Sequence, residues 1–495
     1  MSFRGFAAIT LAGVKKEIIP TAICPLPGFV NVPSSIMINI HRMKKNHIYL
    51  LCIVLFMAVS AFAVYRYQHK QTVLEKKTYT IIPRKNGDTS NAEWKDLKAK
   101  AEAYQLAIQN NPTDYKSLNG LTTLFIQEAR NTGNYSYYDV AAMKTANDVL
   151  KMDSTNFEAL VYKALIYLSQ HHFADGLTTA QKASNVNPYN AYVYGLMVDG
   201  NVEMGNYAAA IKCADQMVTI RPDLSSYSRL SYLREIHGDY AGAIAAMKMA
   251  VEAGGPGDEN TEWARVQMAQ LLEKTGDYKN AEQLYKISLQ LRKDYPYALS
   301  GLGRIAMAMH DYPKAIGYFE KANASVDDNG ILSELAHAYS MSGDEKKAND
   351  LYQKNIDALS ANAKAGMDDE NMGHYADREL AYAYLELNEF DKALEHALLE
   401  YNRRPENIDV NETLAWVYYK SGDIQQAYQY MQVALKTNSK NPVLLSRAAL
   451  IYYKAGDTAN AGRMFNESNA YTAKMDLALS NETRQVFQPN AEKSL

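Results

Sequence analysis

The sequence predicts an all-α fold: a long solenoid of helix–turn–helix units behind one hydrophobic amino-terminal helix. Three observations carry this. A short turn pattern recurs along most of the 495 residues at a spacing near 34. An alanine returns at a fixed offset after nearly every turn. An uncharged run of eighteen residues, Ile48–Tyr65, stands near the amino terminus.

The apolar run IYLLCIVLFMAVSAFAVY has close to the minimum length for a membrane-spanning helix. Met43-Lys44-Lys45 gives it a basic start, Ala61-Phe62-Ala63 offers a small-x-small cleavage pattern, and Tyr65-Arg66-Tyr67 follows as an interfacial edge. Residues 43–65 are therefore read as a signal peptide or membrane anchor. A start at Met43 would make an ordinary bacterial-style signal, and residues 1–42, aperiodic and proline-rich, are read as an upstream segment. Arg42, Lys44 and Lys45 favour a cytoplasmic amino end, whereas Arg66, Lys70, Lys76 and Lys77 pull the other way. Export of the body is the preferred orientation. Residues 66–91 are polar and read as a flexible linker.

Beyond the linker, WKDLKAKAEAYQLAIQNNP at 94–112 has the pattern of a lone helix closed by Pro112. The recurring turn then reads MGNYAAAI at 204–211, HGDYAGAI at 237–244, TGDYKNAE at 275–282 and HDYPKAI at 310–316. It continues as SGDEKKAN at 342–349, NEFDKALE at 388–395, SGDIQQAY at 421–428 and AGDTANAG at 455–462. Counted from the glycine position of each turn, the third residues, with one earlier copy, are Phe173, Tyr207, Tyr240, Tyr278, Tyr312, Glu345, Phe390, Ile424 and Thr458. Their spacings are 34, 33, 38, 34, 33, 45, 34 and 34. Two of these exceed the period, through AGGPGDEN at 253–260 and SANAKAGMDDENMGH at 360–374.

Each position of the unit has a physical reason. Gly238 ends a first helix by adopting a left-handed conformation, and His237 and His310 are read as taking that glycine position elsewhere. Asp239 caps the second helix. Three residues after the reference stand Ala210, Ala243, Ala281, Ala315, Ala348, Ala393, Ala427 and Ala461, with Gly176 in the earliest copy. Small side chains there let two antiparallel helices approach closely. Tyr167, Leu272, Tyr339, Tyr384, Tyr418 and Tyr452 lie six residues before the reference, and three earlier come Ala164, Ala269, Gly303, Ala336, Ala381, Ala415 and Ala449. Large opposite small is how facing helices interdigitate, which also accounts for 37 Tyr against 12 Phe. On this packing Ala315→Leu should overpack a pair, while Arg304→Ala, on the groove, should leave stability nearly unchanged.

With this period and these positions, the chain resembles the tetratricopeptide repeat (TPR) family over about three-quarters of its length. The resemblance implies a right-handed superhelix of about ten helix pairs over 92–475, with a carboxyl-terminal cap and tail over 476–495. It implies a concave wall built from the first helix of each pair, at twelve, eight and five residues before the reference. That wall includes Tyr232, Arg304, His337, Arg378, Tyr382, Trp416, Tyr419 and Tyr453 as partner-binding groove residues. Some family members grip a chaperone's terminal carboxylate with Lys and Asn at the first two of these offsets. Here those positions hold Val161, Gly195, Ser228, Val266 and Ser300, then Leu165, Asp199, Tyr232, Gln270 and Arg304, so that clamp is missing.

Charge and motifs narrow the function. Residues 1–91 carry twelve Lys/Arg against three Asp/Glu, so the chain's net −3 conceals an acidic body. An acidic body does not suit a phosphate backbone, and no nucleic-acid partner is expected. The three cysteines, Cys24, Cys52 and Cys213, form no disulfide framework or zinc spacing. There is no phosphate loop, HExxH, GxSxG or CxxC. His171 and His172, being adjacent, are not expected to ligate one metal together. Asp368, Asp369 and Glu370 lack the alternation of a calcium loop. No cofactor or metal and no enzymatic activity is expected. The expected role is a protein-interaction scaffold at the bacterial cell envelope, with other proteins or peptides as partners and the membrane met through the hydrophobic segment. Two rivals stand beside it: a cytoplasm-facing membrane scaffold, and a glycan-binding or hydrolytic envelope protein suggested by Trp416, Tyr419 and Tyr453.

Overall fold

A computed structural model describes residues 45–85, 92–367, 373–470 and 477–488. The upstream segment 1–42, the acidic cluster 368–370 and the tail 489–495 lie outside the described residues. The chain divides into two units, 1–77 and 78–495. In the first, α1 (Lys45–Lys76) is a continuous helix of 32 residues. Among the described residues it is the one helix long and apolar enough to cross a membrane, over Tyr49–His69.

The second unit is helical apart from its first residues. Within the stretch expected as a linker, 66–76 continue α1, while 79–85 lie extended against the solenoid. Tyr79 and Ile81 are buried, and the Thr80 and Ile82 amides donate to the hydroxyls of Tyr137 and Tyr138 at 3.0 and 3.1 Å. Arg84 forks onto the fully buried Glu128 at 2.7 and 2.9 Å. Alternating apolar residues and one cation hold this segment down, features that its polar average conceals.

Among the described residues, ten antiparallel pairs follow α2 (Ala92–Asn110). α3 (Tyr115–Thr132) pairs with α4 (Tyr135–Met152), and α5 (Phe157–Ser169) with α6 (Phe173–Val186). α7 (Ala191–Glu203) pairs with α8 (Tyr207–Ile220), and α9 (Leu224–Ile236) with α10 (Tyr240–Glu252). α11 (Glu259–Lys274) pairs with α12 (Tyr278–Leu291), and α13 (Pro296–Ala308) with α14 (Tyr312–Ser325). α15 (Asn329–Met341) pairs with α16 (Glu345–Met367), and α17 (Asp377–Glu386) with α18 (Phe390–Arg403). α19 (Ile408–Ser421) pairs with α20 (Ile424–Ala434), α21 (Pro442–Lys454) with α22 (Thr458–Ala470), and α23 (Leu477–Phe487) follows.

Every reference residue read from the turn is the first residue of a second helix, from Phe173 in α6 to Thr458 in α22. The eight alanines three residues later are fully buried, as are Ala164, Ala269, Ala336, Ala381, Ala415 and Ala449 on the facing helices. Gly303 shows how close the helices lie: a Cβ there would stand 2.6 Å from the Phe319 ring. The turns close as expected, with Gly238 at φ 80° and the Asp239 carboxylate accepting from the Gly242 amide at 2.8 Å. His310, at φ 59°, does take a glycine position. His237 does not, because the chain enters the left-handed region one residue later, at Gly238.

The repeat does not determine the next level of organisation. The solenoid winds tightly enough that later units touch earlier ones, about 200 residues apart in sequence, along a seam. On one side are the turns inside the first four pairs; on the other are junctions between pairs about six units later. The Asp327 amide donates to the Thr132 carbonyl at 3.0 Å, and the Tyr375 amide to that of Gln170 at 3.1 Å. Asn407 Nδ2 donates to the carbonyls of Val202 and Glu203 at 3.3 and 3.0 Å, and Arg404 pairs with the Glu203 carboxylate. At Gly133, Gly205 and Gly238 a Cβ would meet the carbonyl oxygens of Asp327, Glu406 and Asn438 at 2.4, 2.3 and 2.7 Å. Glycines in the same turn position further on, Gly343, Gly422 and Gly456, have nothing within 4 Å.

Candidate binding chamber on the inner wall

First helices face inward because each second helix covers their outer side, and their inward residues enclose a cavity of about 950 Å³ in the amino-terminal half. This is near the upper end for small-ligand pockets and roomy enough for an extended segment of chain. α3, α5, α7, α9 and α11 supply most of its wall. Leu165, Asp199, Ser228, Tyr232 and Gln270, all at the wall offsets, line it together.

Its chemistry is aromatic with paired charges. Tyr192 and Tyr232 are each 37% exposed, and Trp263 joins them. Burial, together with the nearby Asp409 and Glu203, holds the Tyr232 phenol well above its usual pKa, so it remains a hydrogen-bond donor. Arg229 grips Asp199 through two bonds, of 2.9 and 2.5 Å, and also donates to the Gly195 carbonyl. Burial opposes the guanidinium charge, but Asp199 outweighs it, and the net shift is upward. Lys274 pairs with Glu235 at 2.5 Å and Arg130 lies 3.6 Å from Glu259. Asp139, almost fully buried, accepts from Ser169 at 2.7 Å, and burial pushes its carboxyl up to about 7.

The other groove residues named from the sequence are committed to different degrees within the protein. Arg304 lies between Glu273 and Glu334, at 3.0 and 3.1 Å, and also donates to the Tyr285 hydroxyl at 3.0 Å. Arg378 donates to Thr413 at 3.2 Å and lies over the Tyr382 ring. Tyr382 in turn accepts from Arg447 at 3.0 Å. Trp416 is 7% exposed, stacked 5.0 Å from Tyr419, with Arg447 and Lys420 over its ring. Tyr419 donates to Glu482 of α23 at 2.6 Å, and Tyr453, 42% exposed, meets Phe487 edge-on. His337 is half-buried on α15.

The sequence reading did not name Tyr192, Arg229, Trp263 and Asp139 for the wall. Tyr192 begins a helix, too early for the offsets used, and Arg229 is one residue past an offset. Asp139 belongs to a second helix. It lines the cavity from α4, the second helix of the first pair, a place that the offset rule does not describe.

Two stretches of the chain, 266–329 and 378–442, match the tetratricopeptide repeat family profile. The chain folds as a solenoid that carries tetratricopeptide repeats in these stretches. The matched stretches take in α13, α14, α19 and α20, whose turns carry the Gly or His, Asp and Ala positions derived above. No curated protein matches the chain. Among solved structures it is similar to PilW, described as a widely conserved type IV pilus biogenesis factor. Identity there is 18% with a TM-score of 0.33, over 43% of this chain and 96% of that one. The repeat gives this chain its fold, and its own side chains give it the chamber.

Proposed function

We propose that this TPR protein is a non-catalytic scaffold of the bacterial cell envelope that holds an extended segment of a partner protein on its inner wall. The observation that carries the reading is the 950 Å³ chamber, with Tyr192, Tyr232 and Trp263 on a frame of already paired charges. Rigid aromatic rings give contact area with little loss of side-chain freedom, which suits recognition of a peptide. Asn260, Gln267 and Gln270 on α11 add amide side chains, which both donate and accept and so match a peptide backbone. Further contacts are proposed along the wall through His337, Arg378 and Tyr382 to the exposed face of Tyr453. The apolar α1 anchors or exports the body, placing the repeats outside the cytoplasm.

Photo-crosslinking in cells tests the binding reading. A crosslinking residue at Tyr232 should give a discrete partner adduct, and one at Tyr189, 84% exposed, should not. No adduct at Tyr232, or the same adducts at both positions, removes the chamber as the binding surface. Protease added to spheroplasts tests location separately: digestion of the repeats is expected, and protection until detergent is added would place them in the cytoplasm.

A further inference from the structure

Two irregularities in the repeat meet in space. Seven sister turns place a glycine at the left-handed position, but the second pair places His171 there, at φ 62°. The one long insertion, at 360–374, ends in Gly373-His374 and leads through Tyr375 into α17. Across the seam the rings of His171 and His374 lie with centroids 4.0 Å apart and planes tilted by 48°, and Glu379 of α17 joins them. One ligand atom from each of the three lies within 4.8 Å of the others.

We propose that His171, His374 and Glu379 form a binding site for a divalent transition-metal ion of the zinc class, clamping one turn of the superhelix to the next. Two imidazoles and a carboxylate are a recognised zinc donor set, leaving a fourth position for water. Both rings are oriented by backbone groups. His171 Nδ1 lies 2.9 Å from the Tyr375 carbonyl, and His374 hydrogen-bonds to the Ser169 backbone. A carbonyl only accepts, so the nitrogen facing it carries the proton and the other keeps its lone pair, the tautomer a metal requires. The Glu379 Oε2 atom is buried and meets no hydrogen-bond partner among the described residues, an acceptor still to be satisfied.

Of the three guanidiniums around the site, Arg378 lies in the field of Asp409, Glu379 and Glu412, and the other two are already ion-paired. Arg404 is bound by Glu400 and Glu203, and Arg403 by Asp377 and Glu400. The position gives the ion its role. His171 belongs to a turn of the second pair, and His374 and Glu379 to the junction six units on. A bound ion therefore ties these two turns of the superhelix together.

The test uses the full chain, stripped with a chelator, dialysed and titrated with zinc in a calorimeter. Cobalt(II) serves as a spectroscopic probe of coordination. One ion per chain at micromolar or better affinity is expected, with a rise in melting temperature, since the ion binds the folded state. His171→Asn preserves the turn, because Asn388 already adopts φ 58° at the same position. It should weaken binding roughly tenfold or more, as should the isosteric Glu379→Gln. His310→Asn, in a turn outside the site, should bind as wild type. Absence of zinc binding by the wild-type chain overturns the proposal. So does binding that is undiminished in both His171→Asn and Glu379→Gln, which would mean an ion held elsewhere.

Discussion

The Ile408 amide donates a hydrogen bond of 2.9 Å to the Tyr207 hydroxyl, joining residues 201 apart in sequence. Tyr207 is a turn reference residue whose ring packs inside its own helix pair. Its oxygen belongs to another level of structure, because it satisfies the first backbone donor of α19 on the next turn of the superhelix.

Removal of that oxygen alone should reveal the seam. Tyr207→Phe keeps the ring but leaves a buried amide unpaired, which should destabilise the protein by about 1–3 kcal/mol. Denaturant unfolding measures it. A loss within error of zero would mean that the contact contributes nothing to the closed form.

Two glycines in equivalent turns should behave differently. Gly422 is at φ 92° with open space around it, so Gly422→Ala carries only the left-handed backbone penalty, about 1–2 kcal/mol. In Gly205→Ala the new Cβ would also stand 2.3 Å from the Glu406 carbonyl oxygen. The seam must then part or strain, for about 1–3 kcal/mol more. Equal losses in the two variants would show that the seam is not closed in solution.

Arg304 calls for a prediction opposite to the one its groove position suggests. It sits between Glu273 and Glu334, so Arg304→Ala leaves two neighbouring carboxylates without their cation. A loss of about 1–3 kcal/mol is expected, reduced from the fully buried case by its partial exposure. Ala315→Leu should still lose about 1–3 kcal/mol by overpacking α13 against α14. Thermal melts of both variants decide; an unchanged Arg304→Ala would restore the reading of this arginine as free for a partner.

The pH dependence should carry two opposed signatures. Asp139 has its folded pKa raised to about 7 from the usual value near 4, so the folded state holds the extra proton between those values. Stability from this group is full below pH 4 and is lost as pH rises through 7. Asp139→Asn should therefore match the wild type near pH 4 and become more stable than it by pH 8. His171 and His374, lowered to about 4, act in reverse: their contribution is present above about pH 6.5 and is lost as pH falls toward 4. Melting temperature across pH 4–8 measures both, and a flat Asp139→Asn difference would remove the first.

The sequence by itself determined the repeat. Gly238, Asp239, Tyr240 and Ala243 act within one turn and the helices beside it, and local backbone and packing rules suffice to read them. The same rules found α1 from its length and lack of charge. Only the tertiary structure decided how tightly successive units rotate, because that angle sums small packing differences over many interfaces and no single residue carries it. That sum brings Glu406 against Gly205 and His374 against His171. It also determined which inward residues face open space and which face each other: the offset rule placed Tyr232 and Arg304 alike on the inner wall, yet Tyr232 lines the chamber while Glu273 and Glu334 enclose Arg304.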